Sequence, residues 1–306
     1  MRMLLLAATA ALALALPAAA APAAEPVAAP ATPEVRLPHI SVTIVGEGPA
    51  VVFIPGLSSP RATWDSATAQ LQGHHKLVLV QVNGFAGDDP GANLQPGILA
   101  GVVADLHAYL EREKAGPVKL VGHSMGGLVG MMFAAAHPEQ VSALMIVDAL
   151  PFFPVLMDPN ATVEQAKPIA AMMRDKVASA YGKPVDPTAV EANVKSLALK
   201  PTSLEKMKAW AGAADPRVTA GALYDDMITD ARPLLPAIKA PITVVVPWSA
   251  SAFGREATLA FYAKQYAGAA QAKFADIAEA GHFVMLDQPE AFAAALDAFV
   301  AEGSNR

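Results

Sequence analysis

The sequence predicts an α/β fold, a mostly parallel sheet covered by helices on both faces. Three observations lead there. Short β-branched apolar runs alternate with longer helical stretches. The strands are near-continuous in apolar character rather than alternating, as in sheets buried on both faces. About 270 residues remain after the low-complexity N-terminus, enough for one large domain with an inserted subdomain.

The first residues stand outside that fold. Arg2 gives a short positive region, residues 3–16 are apolar, and Pro17 followed by Ala18, Ala19 and Ala20 offers small residues for cleavage. This pattern predicts a signal peptide over residues 1–20, too short for a comfortable membrane span, and hence an exported protein, periplasmic or secreted. Without a Cys it is not a lipoprotein signal, and a single Arg argues against the twin-arginine route. Residues 21–34, nearly all Ala and Pro, cannot bury a core and read as an extended tether.

The chain has no cysteine, which excludes disulfides and thiol chemistry. The formal charge is −6, or −7 once Arg2 leaves with the leader, and there are no basic clusters, so nucleic acid is not an expected partner. No set of residues has metal-ligand spacing and no dinucleotide glycine loop occurs, so no cofactor is implied.

In chain order, residues 41–45 and 50–54 read as strands around the Gly46-Glu47-Gly48-Pro49 turn. A helical stretch at 62–71, a strand at 76–82 and a helix at 98–114 follow. The strand 118–122 runs into a helix from Ser124 to about Ala136, stopped by Pro138. Strands at 143–148, 242–246 and 272–277 complete the sheet. The final helix opens at Asp287-Gln288-Pro289-Glu290, with Asp287 as N-cap and Glu290 as its capping-box partner. Residues 151–236 contain no convincing strand. They hold helix formers, repeated prolines, and ten acidic against ten basic residues, and so predict a helical insertion between the core segments 35–150 and 237–306.

Residues 122–127 read GHSMGG between a predicted strand and helix. A sharp turn there strains the serine, and Gly122 and Gly126 remove the side chains that would clash. The Ser124 hydroxyl then stands at the carboxyl edge of the sheet, at the positive end of a helix. A bare Gly-x-Ser-x-Gly is weak evidence; between strand and helix it is strong. The bland reading is a Gly-rich turn with Ser as N-cap.

On these residues the chain resembles the α/β-hydrolase fold family, from Val42 to Ala301. GHSMGG resembles its nucleophile elbow, VVFIPGLSSP (51–60) its oxyanion loop after the third strand, and GHFVMLDQPEAF (281–292) its histidine loop. The resemblance implies Ser124 as nucleophile and His282 as base, in the family order serine, acid, histidine. It also implies an oxyanion hole from the backbone N–H of Leu57 and Met125, with Ser58 as donor if the loop is shifted by one. Among the seven histidines, His39, His74, His75, His107 and His137 lie away from the predicted site, and His123 adjoins the serine in a packing role.

The acid departs from the family pattern. The seventh strand runs into VVVPWSASAFGRE (244–256) with no Asp, and Glu256 falls one turn into the next helix. Asp148, after the family's sixth strand, becomes the leading candidate. Asp225, Asp226 or Asp230 of the insertion, or a Ser–His pair with no acid, stay open. The insertion occupies the family's cap position, and its Phe152, Phe153, Met157, Met172 and Met173 suggest an apolar pocket, or the cap's own core. Trp64 and Trp248 are candidate pocket walls.

The function expected is an exported serine hydrolase that cleaves small to medium apolar carboxylic esters through an acyl-enzyme. An amidase or peptidase of the same fold, or a non-catalytic ligand-binding relative, are the alternatives. Ser at the elbow disfavours the branches that attack through a carboxylate. Natural substrate and oligomeric state are not legible in the sequence.

Overall fold

The computed structural model describes residues 34–302; the predicted leader and all of the tether but Glu34 lie outside them. Eight strands form one sheet: β1 (Glu34–Arg36), β2 (Ile40–Val45), β3 (Ala50–Ile54), β4 (Lys76–Val82), β5 (Val118–His123), β6 (Val141–Val147), β7 (Ile242–Trp248) and β8 (Ala272–Ala278). Their order is β1-β2-β4-β3-β5-β6-β7-β8. β1 and β2 pair antiparallel and every pair from β4 to β8 is parallel. Seven strands match the expected runs. β1 has too few residues to show periodicity, and its pairing with β2, not its own pattern, makes it a strand.

Alternate side chains along each strand feed two apolar layers. Val52 and Ile54 of β3, with Leu144 and Ile146 of β6, join the layer under α2 (Ile98–Glu113), α3 (Met125–Ala136) and α8 (Gly254–Gln265). Val51, Phe53, Met145 and Val147 join the opposite layer, with Trp64, Phe292, Leu296 and Phe299. The strands therefore carry apolar residues on both faces because both faces are covered.

The expected helix at 62–71 is instead a 3-10 turn, Arg61–Trp64, followed by the short α1 (Asp65–Thr68). Its hydroxyls explain the shortening. Thr63 Oγ1 donates to Pro60 O at 2.7 Å and Thr68 Oγ1 to Trp64 O at 2.9 Å, local bonds that compete with helix propagation.

Between β6 and β7 lie four helices and no strand: α4 (Val163–Ala178), α5 (Pro187–Val194), α6 (Pro201–Ala213) and α7 (Pro216–Ile228). Pro187, Pro201 and Pro216 each occupy a first helical position, where a missing N–H costs nothing. Three of the prolines that punctuate this stretch thus start helices, and Pro168 lies inside α4.

Beyond β8 come α9 (Val284–Asp287) and α10 (Pro289–Ala301). Pro289 opens the last helix as expected, but the N-cap is Gln288 and makes no side-chain cap bond. The expected Asp287–Glu290 capping box does not form. The Asp287 carboxylate is engaged instead by three other donors, the backbone N–H groups of Leu199, Lys200 and Gly281.

Among the described residues no helix is long and apolar enough to cross a membrane.

Candidate active site

The strand order reverses at β3. From there the chain crosses to β4 on one side and later to β5 on the other. Loops leaving the carboxyl ends of β3 and β5 diverge at such a switch point and leave a crevice between them. Residues 55–58 follow β3, Ser124 follows β5, Asp148 follows β6, and His282 follows β8.

The elbow is tight. Ser124 has φ 54° and ψ −125°, a region disfavoured for a residue with a side chain. A Cβ on Gly122 would lie 2.2 Å from the carbonyl oxygen of Gly126, and one on Gly126 would lie 2.3 Å from that of Ile54. The chain can turn here only because both positions lack one. Ser124 N–H donates to Val147 O at 3.0 Å, and its carbonyl accepts from Gly127 N–H at 2.7 Å, so the strained residue is held from both sides.

Three side chains from remote positions form a chain. His282 Nε2 lies 2.9 Å from Ser124 Oγ, and His282 Nδ1 lies 2.6 Å from Asp148 Oδ2. Asp148 sits just past the end of β6 with φ 44°, a left-handed conformation that an Asp tolerates better than most residues. Its second oxygen accepts the hydroxyl of Tyr262 from α8, while Tyr266 donates to Ala149 O at 2.7 Å. Burial, with the Asp148 charge beside it, pushes the Tyr262 phenol well above its ordinary pKa. It therefore stays a donor.

The other carboxylates are engaged elsewhere or stand apart. Asp225 accepts from Leu99 N–H at 3.2 Å, Asp230 pairs with Arg232 at 2.6 Å, and Glu256 is exposed in the first turn of α8. Asp226 of α7 makes no hydrogen bond among the described residues, but burial raises its pKa to about 7, offset in part by the charge of nearby His282. It is a second carboxyl group within the field of the imidazole.

Residues 55–58 approach the elbow closely, since a Cβ on Gly56 would lie 3.0 Å from His123 Nδ1 and 3.1 Å from Ser124 Cβ. The backbone N–H groups of Leu57 and Met125 have no acceptor among the described residues, and Met125 begins α3. Two unengaged N–H groups beside a serine hydroxyl can serve a developing oxyanion. Ser58 takes φ 55° and its hydroxyl lies 2.8 Å from that of Thr219 on α7.

His123 is fully buried beneath the site. Desolvation, then the neighbouring His282, lowers its pKa well below the ordinary value. Being neutral, it presents Nε2–H to His282 O at 2.9 Å and supports the histidine loop from below.

The remaining expected residues divide between core and surface. Trp64 is 0% exposed, between Phe53 and Phe292 at ring distances of 5.4 and 6.2 Å, and edge-on to His123. It is core, not a pocket wall, because the turn carrying it tucks under the sheet. Trp248 turns toward β8, its indole N–H donating to Asp276 at 2.9 Å. Phe152 is wholly buried with the Arg232 guanidinium 4.7 Å from its ring centre, and Phe153 is half-buried. Met157 and Met172 are 54% and 64% exposed. Among the described residues no group of three His, Asp or Glu has the geometry of a metal site.

Sequence reasoning missed Tyr262, Asp287 as a tie between loops, and the Ser58–Thr219 contact. Tyr262 and Tyr266 are spaced one helical turn apart, but nothing in AFYAKQY tells which way that face points.

Residues 51–295 match a model of the alpha/beta hydrolase family. An uncharacterised protein of Mycobacterium tuberculosis is 34% identical over 107 residues, 35% of this chain and 30% of that protein. A pimeloyl-(acyl-carrier protein) methyl ester esterase of Aeromonas hydrophila is 31% identical over 114 residues, 37% of this chain and 43% of that one. The match thus spans less than half the length of either relative. Among solved structures, a thermophilic esterase of Thermogutta terrifontis superposes with TM-score 0.71 at 22% identity, covering 88% of this chain and 98% of that one. An enol-lactonase of Burkholderia xenovorans superposes with TM-score 0.70 at 19% identity, covering 88% and 100%.

Proposed function

The chain belongs to the alpha/beta hydrolase family, and within it we propose an exported serine hydrolase that cleaves carboxylic esters through an acyl-enzyme. One observation carries the reading: His282 lies at once 2.9 Å from the Ser124 hydroxyl and 2.6 Å from the Asp148 carboxylate.

In the mechanism proposed, His282 Nε2 takes the hydroxyl proton as Ser124 Oγ bonds to the ester carbonyl carbon. Asp148 holds the imidazole in the tautomer with Nδ1–H and stabilises the imidazolium that forms. Negative charge on the carbonyl oxygen is taken by the N–H groups of Leu57 and Met125. The imidazolium returns its proton to the leaving alkoxide, the C–O bond breaks, and an alcohol departs. Water, deprotonated by the same imidazole, then attacks the acyl carbon, the bond to Ser124 Oγ breaks, the imidazolium returns its proton to that oxygen, and the acid departs.

Ester cleavage in the named relatives, an esterase from each comparison, favours this substrate class over an amide. The apolar side chains of the insertion suit an acyl group of small to medium size, and the leader pattern of residues 1–20 supports export.

Purified protein treated with a fluorophosphonate should label stoichiometrically at Ser124 and lose activity toward p-nitrophenyl esters. A panel of rising acyl length, with matched anilides, gives the chain-length optimum and the ester preference. Absence of labelling in a folded protein overturns the hydrolase reading; faster anilide than ester turnover overturns the substrate class alone.

A further inference from the structure

Asp287 is 0% exposed, and its carboxylate forms no ion pair among the described residues. Its partners are three backbone N–H groups: Leu199 at 2.8 Å, Lys200 at 3.1 Å and Gly281 at 2.9 Å. The first two belong to the insertion, between α5 and α6. The third immediately precedes His282. One buried carboxylate thus joins the insertion to the histidine loop.

Contacts around it follow the same path. Phe283 N–H donates to Leu197 O at 3.1 Å, and the Phe283 ring packs against Trp210 of α6 at 6.2 Å between centres. A Cβ on Gly281 would lie 2.9 Å from the Cα of Ala198, so the two backbones touch. Val194 and Ala198 are buried in the same apolar layer as Phe283.

We propose that the insertion is a positioning element for the catalytic histidine, and that Asp287 is the positioning residue coupling the two. The inference rests on the serine-hydrolase reading above. The physical reason is the cost of undocking. Lifting the α5–α6 segment would strip Asp287 of two of its three donors and bare the apolar layer of Val194, Ala198 and Phe283 to water. This edge of the insertion therefore stays closed. Its hydrogen bonds hold Gly281 in place, and through it the ring that must keep 2.9 and 2.6 Å contacts together. Entry of substrate takes place elsewhere along the insertion, not by opening this edge.

Two variants test the coupling from its two ends. Asp287→Asn keeps the shape but presents an amide N–H2 to donors that need an acceptor. Lys200→Pro deletes one donor at an exposed residue whose φ of −90° lies near the proline range, and leaves the α/β core untouched. Steady-state kinetics on a p-nitrophenyl ester, well below each variant's melting temperature, should show kcat reduced about tenfold or more in Asp287→Asn and severalfold in Lys200→Pro, with KM within about twofold of wild type. Fluorophosphonate labelling should slow by the same factors as kcat. A folded Asp287→Asn protein with wild-type kcat overturns the proposal. So does failure of Asp287→Asn to fold while Lys200→Pro keeps full kcat, or failure of both to fold, since the carboxylate then serves stability alone. Wild type that labels while the variants keep full kcat defeats only this inference; wild type that neither labels nor turns over defeats the hydrolase reading beneath it.

Discussion

Tyr262 donates its phenolic hydrogen to the oxygen of Asp148 that does not face His282. The carboxylate is thereby fixed at both oxygens, and the tyrosine stays protonated because ionising it beside Asp148 would set two negative charges together in a buried place. A partner supplied by α8 thus fixes the orientation of the residue that orients the imidazole.

Removing that hydroxyl should loosen the carboxylate without discharging it. Tyr262→Phe is expected to lower kcat about tenfold or more, the worth of one hydrogen bond to a charged group. Asp148→Asn should lose on the order of 10⁴-fold, as for the orienting acid in the serine-protease case. Steady-state kinetics on the same ester checks both. Near-wild-type turnover in Asp148→Asn would remove it from the proposed mechanism.

The elbow tolerates no Cβ at its two flanking glycines. Gly122→Ala places a methyl 2.2 Å from the Gly126 carbonyl, and backbone cannot move aside as a flexible side chain can. We expect loss of soluble protein or a melting temperature lowered by roughly six degrees or more, for a cost of about 3 kcal/mol or more. Thermal denaturation measures it; a variant that melts with wild type would show that the turn has another conformation available.

Stability should respond to acid in opposite senses through two groups near the site. His123 is held neutral when folded but gains a proton when unfolded below about pH 6.5, so its contribution falls as pH drops beneath that value. Asp226 keeps its proton to about 7 when folded but loses it near 4 when unfolded, so the folded state is penalised as pH rises through that window. Urea denaturation between about pH 4 and 8 should show the acid limb of stability flattened in His123→Gln and steepened in Asp226→Asn. Parallel curves for wild type and both variants would contradict this.

The Ser58–Thr219 contact ties the loop carrying Leu57 N–H to α7. Thr219→Val keeps the shape and removes the hydroxyl. We expect kcat to fall about threefold to tenfold with little change in KM, because the loss falls on the oxyanion donor and not on substrate binding. An unchanged kcat would place the positioning of that loop elsewhere.

By itself the sequence determined what is local. An apolar strand, a Gly-flanked serine and a helix within twenty residues specify the elbow; the steric need for Gly122 arises inside the turn, from the Gly126 carbonyl, whereas that for Gly126 comes from Ile54 on the neighbouring strand. The same holds for the seven longer strands, whose near-continuous apolar runs announce cover on both faces, least so in the edge strand β8 with its Lys273 and Asp276. His282 was legible from its place after the last strand, and Asp148 from the want of a carboxylate after the seventh. The tertiary structure alone decided the partnerships: Tyr262 with Asp148 across 114 positions, Ser58 with Thr219 across 161, and Asp287 with Leu199 across 88. It also moved Trp64 from the site into the core. No periodicity or motif encodes such pairs. A side chain's nearest donor in space depends on how whole elements pack, and Asp287, which reads as an N-cap within its own four residues, found other donors on a segment the fold brought to it.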